Sequence, residues 1–428
     1  RHIMNGNSSD RESQVAWRLT QLAILAFITM LVFAITDSNS NEVSTQMPDT
    51  SLNNQTELPD NPSTTSSEPE SITSSTLQSD QNVRSFTFIA TGELLIHEFV
   101  ADAADSYGSI GFDFSPMFKR VAPIISGADL AICHLETPLS PDNSVLEYYP
   151  TFQVPYELAD AIKFAGYEGC SIASNHLLDN GIEGLQSTIE HLESSGVKAT
   201  GGSTKPGSTM PSLFNPGGVS VAHFSYTDLM NCDVSGSCGG AVLPLDPPWL
   251  ANHLEVQKII DDAETAVDKG AEFVIVSLHW GEAYSSEISE SQEEVTNKLL
   301  SSDSIDLIIG HGAHVIQPVL KVSNKYAVTG IGNFLSNQPG DERRLCSQCP
   351  KSTQDGMIAW FSISDLPDGN VGVTDAGYVP TWVDRTTYEI IPIGVDEPDT
   401  VEPATIKESE NRTSEVIGEN LRRLIFRN

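Results

Sequence analysis

The sequence predicts an α/β fold, in which a β-sheet carries helices on its faces. From Arg84 onward, short apolar runs alternate with amphipathic stretches along most of the chain. Such alternation is typical of strands joined by helices that cover a sheet. A chain of 428 residues is long enough for one large α/β domain or for two ordinary ones.

The individual elements follow from apolar periodicity. Seven apolar runs have the length of strands, namely SFTFIAT (85–91), DLAICHL (129–135), GCSIAS (169–174), VSVAHFSY (219–226), EFVIVSL (272–278), DLIIG (306–310) and KYAVTGI (325–331). A later strand is predicted at MIAWFSI (357–363). Four stretches carry apolar residues at i, i+3 and i+4 and predict helices, namely residues 157–165, 182–196, 253–270 and 291–303.

The region before this fold predicts a membrane anchor and a tether. Residues 19–36 carry no charge and are just long enough to span a bilayer. Arg18 precedes the run, so the positive-inside tendency puts residues 1–18 in the cytoplasm and the folded domain outside a membrane crossed once. A cleaved signal peptide is the alternative. Residues 37–83 lack Lys, Arg and aromatic residues, which predicts a disordered linker.

The folded domain is expected over residues 84–395. Residues 396–428 predict a tail that is acidic at first and ends in an amphipathic helix, SEVIGENLRRLIFRN (414–428). This helix is expected to dock on the domain, and contact with a partner or a membrane surface is the alternative.

The composition is strongly acidic, with 58 Asp and Glu against 23 Lys and Arg and a formal net charge of −35. This balance argues against nucleic acid as a partner, because nucleic-acid phosphates need Lys and Arg. It also opposes electrostatic docking onto anionic lipid.

The cysteines divide into two groups. Cys232 and Cys238 flank a short polar loop, and Cys346 and Cys349 form a CxxC sequence. In an oxidising compartment these four predict two disulfides, with a structural zinc site as the alternative. Cys133 and Cys170 lie inside apolar runs and are expected to be small buried core residues.

Polar side chains follow five of the seven strands. Ligands bind at the carboxyl ends of strands in open α/β sheets, so we expect these side chains to share one site. They are Glu93 and His97 after the first strand, His134 and Glu136 at the second, Asn175 and His176 after the third, His279 and Glu282 after the fifth, and His311 and His314 after the sixth.

The residue types in this set predict a metal centre. Neutral imidazole suits zinc, manganese or iron, and carboxylates suit harder ions. One or two such divalent ions make a nucleophilic hydroxide from water and polarise a phosphoryl oxygen, which indicates a hydrolase. Glu136 is the candidate to bridge two ions, and His176 is the candidate to donate a proton to the leaving group.

Six sequence blocks in this order resemble the bacterial CapA family of capsule and poly-γ-glutamate biosynthesis proteins, in the calcineurin-like metallophosphoesterase superfamily. The resemblance covers roughly residues 86–340. It implies a four-layer α-β-β-α sandwich with a metal centre at the strand ends. The blocks are GELLIH, ADLAICHLETPL, SIASNHLLDNG, VIVSLHWGEAY, IIGHGAHVIQPV and GIGNFL.

The resemblance also assigns roles. The implied metal ligands are Glu93, Glu136, Asn175, His279, His311 and His314, with His176 assisting departure of the leaving group. His97, His134, Glu282 and Asn333 are expected to line the site. Three positions depart from the family pattern: Glu93 replaces the usual Asp, His134 stands where Asn is more common, and His97 follows Glu93 at a spacing of four residues.

Two functions fit the sequence. The resemblance favours an anchored accessory protein of exopolymer synthesis that works with a membrane-bound synthase complex. The ligand set favours a metal-dependent phosphoesterase, which could serve that process or be unrelated to it. An inactive scaffold with a vestigial centre is the third alternative.

Overall fold

The computed structural model describes residues 83–206, 211–239, 242–243, 245–341 and 344–425. The predicted cytoplasmic N-terminus, the anchor and all but the last residue of the linker lie outside these ranges. Across the described ranges, no helix combines the length and the apolar character needed to cross a membrane.

The strands of the described residues confirm all eight predicted strands and add several short ones. In chain order they are β1 (Ser85–Leu95), β2 (Leu130–Leu135), β3 (Gly169–Ser171), β4 (Lys198–Thr200), β5 (Ser212–Phe214), β6 (Val221–Thr227), β7 (Phe273–His279), β8 (Leu307–His311), β9 (Val319–Val322), β10 (Lys325–Val328), β11 (Asn333–Ser336), β12 (Gly340–Asp341), β13 (Arg344–Leu345), β14 (Asp355–Asp365), β15 (Val371–Val383), β16 (Ile390–Pro392) and β17 (Arg422–Arg423).

The helices confirm the four predicted stretches. Those in the described ranges are α1 (Glu98–Tyr107), α2 (Ser115–Phe118), α3 (Ala122–Ile125), α4 (Leu158–Ala165), α5 (Gly181–Ser194), α6 (Val256–Asp268), α7 (Glu290–Leu300) and α8 (Pro403–Ile417). Helix α7 begins with a capping box, in which Ser289 and Gln292 satisfy each other's backbone N–H groups. Helix α4 ends at Gly166, whose φ of 106° is one that glycine adopts without strain.

The described residues form two large sheets of mixed direction and a separate two-stranded pair, β12-β13. The larger has the order β16-β15-β14-β1-β2-β3-β4, with β11 also paired to β1 and β17 to β15. Within it, β1 to β4 run parallel. The smaller has the order β5-β6-β7-β8-β10-β9, in which β6, β7, β8 and β10 run parallel.

The two sheets pack face to face. Alternate residues of β1, Phe86 and Phe88, join Phe273 and Ile275 of β7 in one apolar cluster between the sheets. The other side of the larger sheet packs against α1 to α5, and the other side of the smaller sheet against α6 and α7. Helices therefore cover both outer faces of the sheet pair.

The C-terminal helix lies earlier than predicted. The sequence pattern placed it over residues 414–428, whereas α8 spans Pro403–Ile417 and ends at Gly418 with a φ of 65°. Arg422 and Arg423 instead form β17, a parallel neighbour of β15. Leu421 and Leu424, which gave the segment its amphipathic pattern, are buried against the sheets.

The cysteines form three disulfides rather than two. Cys232–Cys238 and Cys346–Cys349 are paired as expected. Cys133 and Cys170 are buried in the core as predicted, and they also form a third disulfide, which the sequence analysis did not predict. They face each other in register on the neighbouring strands β2 and β3, with Cα atoms 4.5 Å apart.

Candidate metal centre

The candidate centre lies where the carboxyl ends of both sheets meet. In the larger sheet Glu93 of β1 is in register with His134 of β2. In the smaller sheet His279 of β7 is in register with His311 of β8. Side-chain contacts join the two pairs across the interface, with 3.0 Å between His134 Nε2 and His279 Nδ1. The fold thus brings residues that are far apart in the sequence to one place.

Two carboxylates and one imidazole form the most compact group. Potential ligand atoms of Glu93, Glu136 and His314 all lie within 4.8 Å of one another. His314 Nδ1 is 3.0 Å from Glu93 Oε2 and 3.8 Å from Glu136 Oε2. The Gly312 N–H donates to Glu93 Oε1 at 2.7 Å. All three side chains are buried, with Glu93 at 0% exposure.

Burial without hydrogen bonds makes Glu136 unusual. Both of its carboxylate oxygens are buried, and neither has a hydrogen-bond partner among the described residues. Burial and the neighbouring Glu93 charge raise the pKa of Glu136 to about 7, although the nearby His314 opposes the rise. A buried carboxylate without donors is costly unless a cation compensates it. The orphaned oxygens therefore fit a metal ligand.

The same carboxylates hold a proton on His314. Burial by itself lowers the pKa of His314, but the charges of Glu136 and Glu93 outweigh burial and raise it to about 9. At neutral pH the single His314 imidazolium can thus balance only one of the two carboxylate charges when no other cation is bound. A metal ion would replace this proton.

A chain of hydrogen bonds fixes the tautomer of His279. The Ser171 hydroxyl donates to the Cys133 carbonyl at 3.2 Å and so accepts from His134 Nδ1 at 2.8 Å. Burial lowers the pKa of both histidines well below the usual value, so both are neutral. His134 Nε2 must then accept, and His279 Nδ1 must donate.

The consequence is a free lone pair on His279 Nε2. Metal-bound histidines generally donate their other ring N–H to a neighbouring acceptor in this way. Here His134 acts as that acceptor.

His311 packs beside this chain. Its ring stacks on His134 with 4.1 Å between centroids and 10° between planes. Its Nδ1 is buried without a hydrogen-bond partner in the described part of the chain. Burial lowers the pKa of His311 well below the usual value, so the neutral ring can offer a lone pair.

The backbone geometry on either side of His311 requires glycine. A Cβ on Gly310 would lie 1.9 Å from the Thr329 carbonyl oxygen, so only glycine fits there. Gly312 has a φ of 97°, and His314 itself has a φ of 59°, a left-handed conformation that is rare for a side-chain-bearing residue. This sharp turn brings His314 back to the two carboxylates. Strain of this kind is concentrated at functional sites.

His176 forms a dyad with Asp179. The distance from His176 Nδ1 to Asp179 Oδ2 is 2.7 Å, and the Phe152 N–H donates to the same oxygen at 2.8 Å. The Phe152 and His176 rings also pack edge to face, with 4.7 Å between centroids. The acid holds the imidazole in one orientation, with Nε2 remaining for other contacts. The neighbouring Asn175 Oδ1 is buried and has no partner among the described residues.

The Cys232–Cys238 loop supports this segment from outside. The Asn231 N–H donates to the Asn175 carbonyl at 2.9 Å, and the Ile182 N–H donates to the Val234 carbonyl at 3.3 Å. Cys232 Sγ lies 3.2 Å from Asp179 Oδ1. Because this sulfur is in a disulfide, it has no proton to donate and offers no thiolate to a metal.

The remaining predicted residues lie at different distances from the cluster. Asn333 is buried beside Glu93, with which it pairs on β1 and β11, and it donates to the Thr353 carbonyl at 2.8 Å. The His97 ring forms a hydrogen bond with the backbone carbonyl of Leu95, two residues earlier. It borders a neighbouring cavity and does not contact the Glu93 and Glu136 carboxylates. Glu282 is exposed, and no hydrogen bond or ion pair joins its side chain to the described site residues.

Two residues in the site had no assigned role in the sequence analysis. Asp179 could have been found from its spacing, since it lies three residues after His176 in SNHLLD. Ser171 had no such signal, because its role depends on its position across from His134 on the neighbouring strand.

The sequence matches a known family. Residues 87–338, more than half of the chain, match the family model described as bacterial capsule synthesis protein PGA_cap. The chain is 25% identical over 264 residues to the capsule biosynthesis protein CapA of Bacillus anthracis, covering 59% of this chain and 60% of that protein.

Other relatives agree with this match. The chain is 23% identical over 267 residues to the PGA biosynthesis protein CapA of Bacillus subtilis (strain 168), covering 60% of this chain and 64% of that protein. It is 23% identical to a probable polyglutamine synthesis accessory protein of Mycobacterium tuberculosis, covering 50% and 57% respectively. The chain thus spans about three fifths of the length of the curated relatives that it matches.

The solved structures that align with this chain have lower sequence identity to it. The calcineurin-like phosphoesterase YfkN from Bacillus subtilis aligns with a TM-score of 0.42 and 12% identity, covering 78% of this chain and 98% of that one. The NAD nucleotidase NadN of Haemophilus influenzae aligns with a TM-score of 0.41 and 10% identity, covering 81% and 65%.

Proposed function

Because the chain belongs to the bacterial capsule synthesis protein PGA_cap family, we propose that it is an accessory protein of capsule or poly-γ-glutamate synthesis with a metal-dependent phosphoesterase centre. The observation that carries the second half of this proposal is the buried, donor-free carboxylate of Glu136 beside Glu93 and His314. Such a carboxylate is costly in a fold that has no cation to place against it.

The residues that would hold the metal are the six predicted ligands. Orphaned acceptor atoms on Glu136, Asn175 and His311 support this assignment, as does the lone pair that the His134 contact leaves on His279. Carboxylate, amide and imidazole donors together suit first-row divalent ions such as manganese, iron or zinc. When bound, one or two such ions would activate a water and polarise a phosphoryl oxygen.

The chain's own residues supply the proton transfer. Asp179 accepts a hydrogen bond from His176 Nδ1–H, which orients the ring. In the imidazolium form of His176, Nε2 carries the proton that it would deliver to the departing oxygen. Phe152 packs against the same ring and restricts its rotation. The buried Phe152 and Asp179 also keep water from competing for Nδ1.

The finer architecture and location are part of the proposal. Two stacked sheets with helices on both outer faces support a four-layer α-β-β-α sandwich of the metallophosphoesterase type. Three disulfides support an oxidising compartment, and therefore a domain outside the cytoplasm. The charge-free run at residues 19–36 would anchor the protein in the cell membrane, beside a polymer synthase complex.

A phosphoester hydrolysis assay tests the catalytic half. The full chain, loaded with manganese, should hydrolyse an aryl phosphodiester, and a chelator should abolish the reaction. His176→Asn should lower kcat by about 10²-fold or more while the protein keeps its metal. Hydrolysis that persists in the His176→Asn variant at the original rate would refute the assigned role.

The capsule half needs a separate test in cells. Deleting the gene should reduce surface polymer, and the intact gene should restore it. If the amount of surface polymer is unchanged after deletion, the proposed role in capsule synthesis is refuted, and only a phosphoesterase unrelated to capsule remains.

A further inference from the structure

A cavity of about 320 Å³ lies beside the candidate metal centre. Tyr284 links the two, since its ring centroid is 5.5 Å from that of His314. Gln338 links them a second time, because it contacts both Asn333 and Tyr284. The described lining includes His97, Tyr149, Tyr284, Asn337, Gln338 and Ser347.

Hydrogen bonds around Gln338 leave Tyr284 with a proton to donate. The Asn333 amide nitrogen donates to the Thr353 carbonyl at 2.8 Å and to Gln338 Oε1 at 3.0 Å. Gln338 Nε2 must therefore be the donor to the Tyr284 hydroxyl at 3.2 Å. Because that hydroxyl accepts from Gln338, its own proton is directed to another acceptor.

A second donor is fixed in the same way at Asn337. Arg385 Nη2 donates to Asn337 Oδ1 at 2.8 Å, and the Tyr388 hydroxyl donates to the same oxygen at 2.9 Å. Arginine has no acceptor, so this contact settles which end of the Asn337 amide is oxygen. The amide nitrogen has no hydrogen-bond partner among the described residues and remains available to a ligand.

The described part of the cavity lining is suited to a ligand that offers hydrogen-bond acceptors. The described lining residues include no carboxylate, although the chain carries 58 acidic side chains. Arg385 lies directly behind Asn337 and also donates to the Gln338 carbonyl. An anion in the cavity thus meets two neutral donors backed by a guanidinium.

We propose that this cavity binds a glutamyl chain, with Asn337 and Tyr284 donating to its carboxylate and carbonyl oxygens. The inference rests on the proposed function in poly-γ-glutamate synthesis. It assigns binding of the polymer to this cavity. The chain would lie next to the metal centre, to which Tyr284 and Gln338 join the cavity.

Calorimetric titration of the full chain with synthetic γ-linked pentaglutamate tests the inference. A chelator is present throughout, so that the peptide cannot bind merely as a metal ligand. The unaltered protein should bind, and Asn337→Asp should weaken binding about 10-fold or more, because it replaces the donor with an acceptor. Tyr284→Phe should weaken it less, by about 3-fold to 10-fold.

A matched control is Tyr156→Phe, at a tyrosine that stacks on His191 away from the cavity lining. This variant should bind like the unaltered protein, and thermal unfolding of each variant reports whether it is folded. Inorganic phosphate and α-linked pentaglutamate provide comparison ligands. Weaker binding of both than of the γ-linked peptide supports the proposal.

Three outcomes would overturn it. The first is that the γ-linked peptide gives no heat of binding up to roughly 1 mM. The second is that Asn337→Asp and the unaltered protein bind the peptide with equal affinity. The third is that the protein binds phosphate but not the peptide. Because no metal or turnover is involved, these outcomes are independent of whether the centre hydrolyses phosphoesters.

Discussion

His134 Nε2 lies 3.0 Å from His279 Nδ1, and this contact joins the two sheets at the candidate metal centre. Its direction follows from Ser171, whose hydroxyl bonds on one side to the Cys133 carbonyl and on the other to His134. The contact leaves the Nε2 lone pair of His279 free. In the proposed metal centre, His134 would thus prepare His279 as a ligand.

Replacing His134 with alanine should lower metal affinity about 10-fold to 100-fold, because His279 loses the acceptor that fixes its tautomer. Competitive titration against a fluorescent chelator measures the effect. His191→Ala, which removes a surface imidazole stacked on Tyr156, is the control. Equal affinities for the two variants would show that the His134 contact does not prepare the ligand.

Replacing Asp179 with asparagine should lower kcat for a phosphodiester by about 10²-fold to 10⁴-fold, because the neutral amide no longer stabilises the protonated His176 that donates to the leaving group. Metal content should not change, since Asp179 is not among the predicted ligands. Asp142→Asn, at an exposed loop position, is the matched control. A normal kcat in Asp179→Asn would remove the dyad from the mechanism.

Replacing Cys232 and Cys238 together with serine should destabilise the segment that holds the dyad. Loss of this short disulfide loop is expected to cost about 2 kcal/mol in the free energy of unfolding. Hydrolysis should also slow, since Asn231 and Val234 hold the backbone around Asn175 and Ile182.

Ser235→Ala changes the same loop but keeps its disulfide, and it should have little effect on either quantity. A double variant that loses stability yet retains the full rate would separate the loop from the site.

Without metal, stability should fall as the pH rises from about 6.5 to about 9. The folded-state pKa of His314 is raised to about 9 from an ordinary value of 6.5, so the stabilisation from its proton is complete below pH 6.5. It is lost as the pH passes through the folded-state value, up to about 3 kcal/mol.

Glu136, whose pKa is raised to about 7, contributes in the same direction between its ordinary value of 4.5 and 7. Chemical unfolding in a chelator measures this slope. His314→Gln should remove the part of the slope that His314 contributes, and an unchanged slope in that variant would assign the effect to other groups.

Much of the site was predictable because parallel strands end at a common edge. Glu93, His134, His279 and His311 all lie in β-strands that end at the interface of the two sheets. Apolar runs locate such strands well, and the residues that follow them are then placed by topology. The hydrogen-bond directions were not predictable, because Ser171 acts on His134 only through strand register.

The errors have equally local causes. The segment 414–428 has helical apolar spacing, but Gly418 ends α8 and the following residues pair with β15. Tertiary pairing overrode local propensity there. Cys133 and Cys170 are the buried core residues that their apolar runs predicted, and the disulfide was missed because it depends on their cross-strand register.

Metal content of the full chain is the most direct test of the central claim. Protein purified without chelators should contain one to two transition-metal ions per chain, measured by mass spectrometry. Glu136→Gln should lose most of this metal while remaining folded, because the amide removes the buried charge that a cation compensates. No bound transition metal in the unaltered protein, or equal metal in the Glu136→Gln variant, would contradict the assignment of Glu136 and its neighbours as a metal centre.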